Sequence, residues 1–103
     1  MSGDSLAVPE VGRIAEQQEA VEPPYRVYIH NDEVTPYELV ILILMKVFEL
    51  NSLEAEQVTY TAHTSGAAYV ATYPLSEAKR RVGKAHFAAS LEGYPLKFTI
   101  EPE

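Results

Sequence analysis

Three short stretches of the chain show the alternation of apolar and polar residues, or the β-branched and aromatic content, that is typical of β-strands. We predict strands over Tyr25–His30, Ala67–Tyr73 and Leu96–Ile100. The first and the third alternate in steps of two, so one face of each strand is apolar and is expected to face a core.

The stretch Pro36–Leu50 is apolar on nearly every side and predicts a helix. Thr35 is placed to cap its start, Glu38 is placed to reach back to that cap, and proline suits the first helical position. A polar loop with two acidic side chains, Asn31–Glu33, precedes this start. The sequence therefore predicts a cation-binding group beside an apolar surface.

The last helix is expected to begin between Pro74 and Ser76 and to run to about Glu92. Its buried stripe is formed by small side chains at helical spacing: Ala78, Val82, Ala85 and Ala89. Four of the eight cations of the chain lie in its first half: Lys79, Arg80, Arg81 and Lys84. A solvated helix face explains this cluster most simply, and a partner contact is the alternative.

The segment between these helices supports two interpretations. Asn51 and Glu54 have the spacing of a capping box, which favours a helix. Val58–Thr61 is β-branched and aromatic, which favours a strand paired with Ala67–Tyr73 in a hairpin. The local pattern leaves both open.

Residues 1–24 contain few large apolar side chains and carry -4 of the formal net charge of -7. Such a stretch buries too little apolar surface to offset the entropy of ordering it. We expect a flexible acidic tail over 1–24, as a spacer or as a contact with a partner, followed by one domain over 25–103.

The composition narrows the class of function. The chain has no cysteine, which excludes disulfides and thiolate metal sites, and its acidic charge disfavours a nucleic-acid binder. No apolar run is long enough to span a bilayer, and residues 1–24 lack the features of a secretory or transit leader. We expect a cytoplasmic monomer with no nucleic-acid or membrane partner.

Catalytic and metal-binding motifs are not found in the sequence. No pair among His30, His63 and His86 has helical metal-site spacing, and no nucleotide or hydrolase motif is present. Asp32 and Glu33 are adjacent and point apart in an extended loop, which is poor geometry for an acid–base pair. We predict no enzyme activity, no cofactor and no metal site; a small enzyme is the least supported interpretation.

Three motifs occur in a fixed order over most of the chain beyond the tail. They are Asn31-Asp32-Glu33-x-Thr35-Pro36 with Glu38 and Val40, then His63 with Gly66, then Gly93-x-Pro95-Leu96. In these motifs the chain resembles the ClpS adaptors of bacterial AAA+ Clp proteases. The resemblance implies an α/β (α+β) domain of order β-α-α-β-α-β, with three helices packed on a three-stranded antiparallel sheet. It also favours a helix over Leu53–His63.

The resemblance further implies an adaptor for N-degrons. Members of the family bind proteins whose first residue is Leu, Phe, Tyr or Trp, and they contact the N-terminal domain of a ClpA- or ClpC-type unfoldase. Carried over, the residues that hold the α-amino group are Asn31, Asp32, Glu33 and His63. Those that line the side-chain pocket are Thr35, Pro36, Tyr37, Val40, Thr59, Ala62 and Leu96. Those that contact the unfoldase are Glu77, Lys79, Arg80, Arg81 and Lys84.

The chain departs from the family pattern at four of these positions. Glu33 replaces the usual Asp, Tyr37 and Thr59 each replace a Met, and Ala62 replaces a bulkier aliphatic residue. The Met at the position of Tyr37 gates the family's pocket against β-branched side chains. Our hypothesis is a degron ranking shifted toward larger aromatic side chains. The alternative is a domain of the same fold that modulates the unfoldase without binding N-degrons.

Overall fold

The computed structural model describes residues 22–103, and its elements follow the order β-α-α-β-α-β. The strands are β1 (Pro24–His30), β2 (Ala67–Pro74) and β3 (Lys97–Pro102). The helices are α1 (Tyr37–Phe48), α2 (Ser52–Ser65) and α3 (Leu75–Leu91). The predicted fold class is confirmed. The tail predicted over 1–24 lies, up to residue 21, outside the described residues.

The three strands form one antiparallel sheet of order β2-β1-β3. His30, the last residue of β1, pairs with Ala67 on one side and with Lys97 on the other. The end of the central strand therefore lies beside the first residues of both edge strands. This register brings the loop after β1, the turn before β2 and the segment before β3 to one end of the sheet.

The core lies between the helices and one face of the sheet. Val27 and Ile29 of β1 are buried there, together with Leu44 of α1. Three alanines of α3 are fully buried: Ala78, Ala85 and Ala89. Because alanine is small, α3 can approach the sheet closely along this stripe, as its sequence predicted, although Val82 is only partly buried.

The start of α1 differs from the prediction. Thr35 does not cap the helix, because its hydroxyl donates to the carboxylate of Asp32 instead. Pro36 is the N-cap rather than the first helical residue, and no side chain caps this end. At the other end Glu49 adopts a left-handed conformation (φ 61°), so the helix stops at Phe48 and not at Leu50.

The ambiguous segment is a helix, α2, and the hairpin interpretation was wrong. The side chain of Asn51 accepts from the N–H of Glu54, and the carboxylate of Glu54 accepts from the N–H of Asn51. Gly66 ends the helix with φ 93°, a conformation that glycine adopts without strain. Both ends are therefore fixed locally, and this outweighs the β-branched residues between them.

Candidate ligand-binding site

One cavity of about 290 Å³ is lined by all eleven residues that the resemblance placed in the amino-group site and the side-chain pocket. It lies where the end of β1, the start of α1, the second half of α2 and the residue before β3 meet. Three further lining residues were not predicted: Ile29, His30 and Val34. Their signal was available, since Ile29 and His30 end β1 immediately before the motif and Val34 lies within it.

The loop at the mouth of the cavity is held by Asp32. Its carboxylate accepts hydrogen bonds from the backbone N–H of Val34 (2.9 Å) and of Thr35 (2.7 Å), and from the Thr35 hydroxyl (2.8 Å). Burial raises the pKa of Asp32, but the hydrogen bonds from Thr35 and Val34 outweigh burial and lower that pKa below 3.8. The Asp32 side chain is thus occupied in shaping the loop.

Asn31 is fixed at both its backbone and its side chain. Its N–H donates to the carbonyl oxygen of Gly66 (3.0 Å), which ties the loop to the end of α2. Its side-chain nitrogen donates to the carboxylate of Glu33 (3.2 Å). In this arrangement the Asn31 amide oxygen and the exposed Glu33 carboxylate both remain acceptors for a ligand.

The three histidines have different surroundings. Nε2 of His30 is 2.7 Å from the Thr99 hydroxyl, and Nε2 of His86 accepts from the N–H of Phe98 (2.9 Å). His63 makes no hydrogen bond to a residue in the range 22–103, and its ring is exposed at the cavity. His30 and His86 therefore each have one ring nitrogen engaged within the fold, whereas neither nitrogen of His63 is bonded to a residue in the range 22–103.

The far end of the cavity is apolar. Val40, Ala62 and Leu96 line it and are at most 7% exposed. Thr59 lines it as well and, at 3% exposure, is the only buried polar residue among 22–103. Acceptors at the mouth and apolar side chains below are thus joined in one space.

Tyr37 lies at the rim of the cavity and remains 43% exposed. Its ring meets that of His63 nearly edge to face, with centroids 5.5 Å apart and an interplanar angle of 80°. Edge-to-face contacts of this kind stabilise a pair of rings by about 0.5–1.5 kcal/mol. The ring of Tyr37 is therefore braced against the ring of His63.

The cations predicted for a partner contact divide into two groups. Lys79, Arg80 and Lys84 are exposed on α3. Arg81 is not available in the same way, because its guanidinium donates to Glu77 (2.8 Å) and to the carbonyl oxygen of Val47 (2.6 Å). The guanidinium of Arg81 is therefore engaged within the fold, mainly by Glu77 and Val47.

Residues 22–103 contain no group of three His, Cys, Asp or Glu side chains that could hold a metal ion. None of the helices α1–α3 combines the length and apolar character needed to cross a membrane.

Comparisons with known proteins agree with the geometry. The family model described as ATP-dependent Clp protease adaptor protein ClpS matches residues 20–99. ClpS 2 of Mesorhizobium japonicum is 38% identical over 79 residues, covering 77% of this chain and 78% of that protein. ClpS 1 of Bradyrhizobium diazoefficiens is 40% identical over 85 residues, covering 81% and 84%.

A solved structure has the same fold. ClpS2 of Agrobacterium tumefaciens, bound to L-phenylalaninamide, superposes with a TM-score of 0.77 at 34% identity, covering 80% of this chain and 99% of that one. The family model spans most of the chain, and the relatives match over most of their own length. The chain belongs to the ClpS family, the adaptor proteins of the ATP-dependent Clp protease.

Proposed function

We propose that this adaptor binds proteins by a free N-terminal α-amino group and a large hydrophobic first side chain (Leu, Phe, Tyr or Trp), and delivers them to a AAA+ Clp unfoldase. The observation that carries the proposal is that hydrogen-bond acceptors and buried apolar side chains line the same cavity of about 290 Å³. The protein supplies recognition, and the chemistry of degradation belongs to the protease.

The polar mouth fits an ammonium group. A free N-terminus has three N–H donors, and the mouth offers three kinds of acceptor: the Asn31 amide oxygen, the Glu33 carboxylate and a neutral nitrogen of His63. Glu33 binds directly or through a water molecule. Acetylation of the N-terminus removes the charge and two donors, and each hydrogen bond lost in this way weakens binding by about 0.5–1.5 kcal/mol.

The apolar end fits a large side chain. Burying a Leu or Phe side chain against Val40, Ala62 and Leu96 contributes about 1.5–3 kcal/mol. L-Phenylalaninamide, which the Agrobacterium relative binds, combines a free α-amino group with a benzyl side chain. Two coupled requirements, an ammonium group and an apolar side chain, give specificity from a small site.

The delivery half of the proposal rests on α3. Its exposed cations, Lys79, Arg80 and Lys84, form a surface on a different element from those that line the cavity. We assign this cationic surface to the N-terminal domain of a ClpA- or ClpC-type unfoldase. A bound degron and the unfoldase then occupy separate parts of the adaptor.

A binding titration tests degron recognition. A labelled peptide with a free Phe N-terminus is compared with its Nα-acetylated twin and with an Ala-first peptide. We expect a Kd of about micromolar or tighter for the free Phe peptide only. Asn31→Ala and His63→Ala should each weaken binding about tenfold or more, whereas Gln57→Ala, on the exposed face of the same helix as His63, should not.

Two results of this titration would contradict the proposal. Absence of binding to free Leu-, Phe-, Tyr- and Trp-first peptides would contradict degron recognition. Binding of the acetylated peptide with equal affinity would contradict the role of the polar mouth. In the first case the function that remains is modulation of the unfoldase through α3.

A further inference from the structure

Thr59 is a polar residue in an otherwise apolar part of the cavity lining. Among residues 22–103, Thr59 is the only polar residue that is buried, and it lines the cavity with Val40, Ala62 and Leu96. A buried hydroxyl needs a hydrogen-bond partner, so the first question is where its proton goes.

The proton of Thr59 is used within α2. Its Oγ1 donates to the carbonyl oxygen of Ala55 at 2.7 Å, one turn earlier. A hydroxyl has one donor and two acceptor lone pairs, so this bond leaves Oγ1 able only to accept. A ligand group that meets Oγ1 favourably is therefore a donor.

Because Thr59 is buried in the cavity, only a donor at the far end of a ligand side chain can reach its hydroxyl. Glu33 and His63, at the polar mouth, are exposed, whereas Thr59 is 3% exposed. A first side chain whose α-amino group is held at the mouth extends toward the buried end, and its tip is the part nearest Thr59. Among Leu, Phe, Tyr and Trp, tyrosine carries its donor at the tip.

We propose that Thr59 Oγ1 accepts a hydrogen bond from the phenolic hydroxyl of a tyrosine at the first position, so that the pocket accommodates Tyr at least as well as Phe. This inference rests on the proposed degron recognition and adds a residue that decides between two ligands of nearly equal shape. Without the acceptor, the buried phenolic hydroxyl would lose its bond to water and gain nothing in return.

The test compares peptides that differ only at the para position of residue 1: Phe, 4-fluoro-Phe and Tyr, all with a free N-terminus. Each is titrated against the full chain, Thr59→Val and Thr59→Ser. Valine replaces the hydroxyl by a methyl group of similar size, and serine keeps the acceptor. The Ala55 carbonyl keeps its helical partner in all three proteins.

In the unmodified chain we expect Tyr to bind at least as tightly as Phe and more tightly than 4-fluoro-Phe. Thr59→Val should weaken binding of the Tyr peptide about tenfold and binding of the Phe peptide by about twofold or less. Thr59→Ser should retain the preference for Tyr. Retained Phe binding also shows that the valine variant is folded.

Two results would overturn the inference while degron recognition stands: an equal effect of Thr59→Val on Tyr and Phe, or Tyr binding tenfold weaker than Phe in the unmodified chain. The second needs no variant, so it decides the matter even if valine disturbs folding. Failure of all three free peptides to bind would overturn the degron proposal, and this inference with it.

Discussion

The carboxylate of Asp32 accepts the backbone N–H and the hydroxyl of Thr35 at 2.7 and 2.8 Å. Thr35 thereby serves the loop and not the helix that follows. Asn31 and Glu33 flank Asp32 and line the cavity with it, so the residue that shapes the loop stands between two other polar lining residues. In the proposed function, loop rigidity and ligand recognition are divided among these neighbouring side chains.

Replacing Asp32 by alanine should destabilise the fold by about 1–2 kcal/mol, because two backbone N–H groups and one hydroxyl lose a charged acceptor that is only partly buried. Urea unfolding at neutral pH measures this. Glu33→Ala is the matched control: it removes the neighbouring carboxylate, which is exposed and bonds only the Asn31 side chain among the described residues. If Glu33→Ala lowers the free energy of unfolding as much as Asp32→Ala does, the loop is not held specifically by Asp32.

The contribution of Asp32 should depend on pH. Hydrogen bonds hold the pKa of Asp32 in the folded state below 3.8, despite the opposing effect of burial. A depressed carboxyl pKa stabilises the fold above the unfolded pKa, and this stabilisation is lost as the pH falls through the folded pKa. The difference in unfolding free energy between the chain and Asp32→Ala should therefore shrink between about pH 5 and pH 2. If the difference in unfolding free energy stays constant over this range, the pKa of Asp32 is not lowered in the folded state.

Arg81 should be far more important for stability than Arg80, its neighbour. Arg81 links α3 to the end of α1 through the Val47 carbonyl, and it also bonds Glu77, one turn earlier in α3. Its guanidinium lies 4.6 Å from the centre of the Tyr73 ring. Arg81→Ala should cost about 2 kcal/mol, and Arg80→Ala less than about 0.5 kcal/mol, since Arg80 is exposed.

Thermal and urea unfolding of the two arginine variants give the comparison. Arg81→Lys keeps the charge but cannot donate to both partners with the same planar fork, so it should recover only part of the loss. Equal stability of the Arg80 and Arg81 variants would show that these contacts contribute little.

Glu22 caps α3 from outside the helix. Its carboxylate accepts the N–H (2.8 Å) and the hydroxyl (2.9 Å) of Ser76, and the carbonyl oxygen of Pro23 accepts the N–H of Leu75 (3.2 Å). A carboxylate at a helix N-terminus stabilises by capping and by its charge, so Glu22→Ala should cost about 1 kcal/mol. Glu56→Ala, on the exposed surface of α2, is the control and should be near neutral; unchanged stability in Glu22→Ala would refute the cap.

The sequence predicted most of the elements because their signals are local. The capping box of Asn51 and Glu54 and the terminal Gly66 define α2 from within the segment itself. Propensity alone leaves α2 open, because Val58–Thr61 favours a strand. The pattern does not show that Thr59 and Ala62 pack as small residues on one buried face.

The contacts that sequence reasoning missed are those between distant segments or competing partners. The bond of Arg81 to Val47 joins residues 34 positions apart, and that of Glu22 to Ser76 joins residues 54 apart. Thr35 had two plausible partners, the helix start and Asp32, and the pattern could not rank them. Eleven of the residues that line the cavity were named from the family resemblance, whereas Ile29, His30 and Val34 were not.

The cationic surface of α3 gives the last prediction. Lys79→Glu with Lys84→Glu should weaken binding to the N-terminal domain of a ClpA- or ClpC-type unfoldase about tenfold or more, because two attractions become repulsions. The loss should be greatest at low salt, since the charges are exposed and screened by ions.

The control for this prediction has the same change of charge elsewhere. Lys46→Glu with Lys97→Glu alters two exposed lysines on α1 and β3 and should leave the unfoldase affinity within about twofold. Both double variants should bind the Phe-first peptide like the unmodified chain, because none of the four lysines lines the cavity. If both double variants weaken binding to the unfoldase domain equally, the net charge of the adaptor governs the contact and the α3 surface does not. If only the α3 pair does, degron capture and delivery are physically separate on this adaptor.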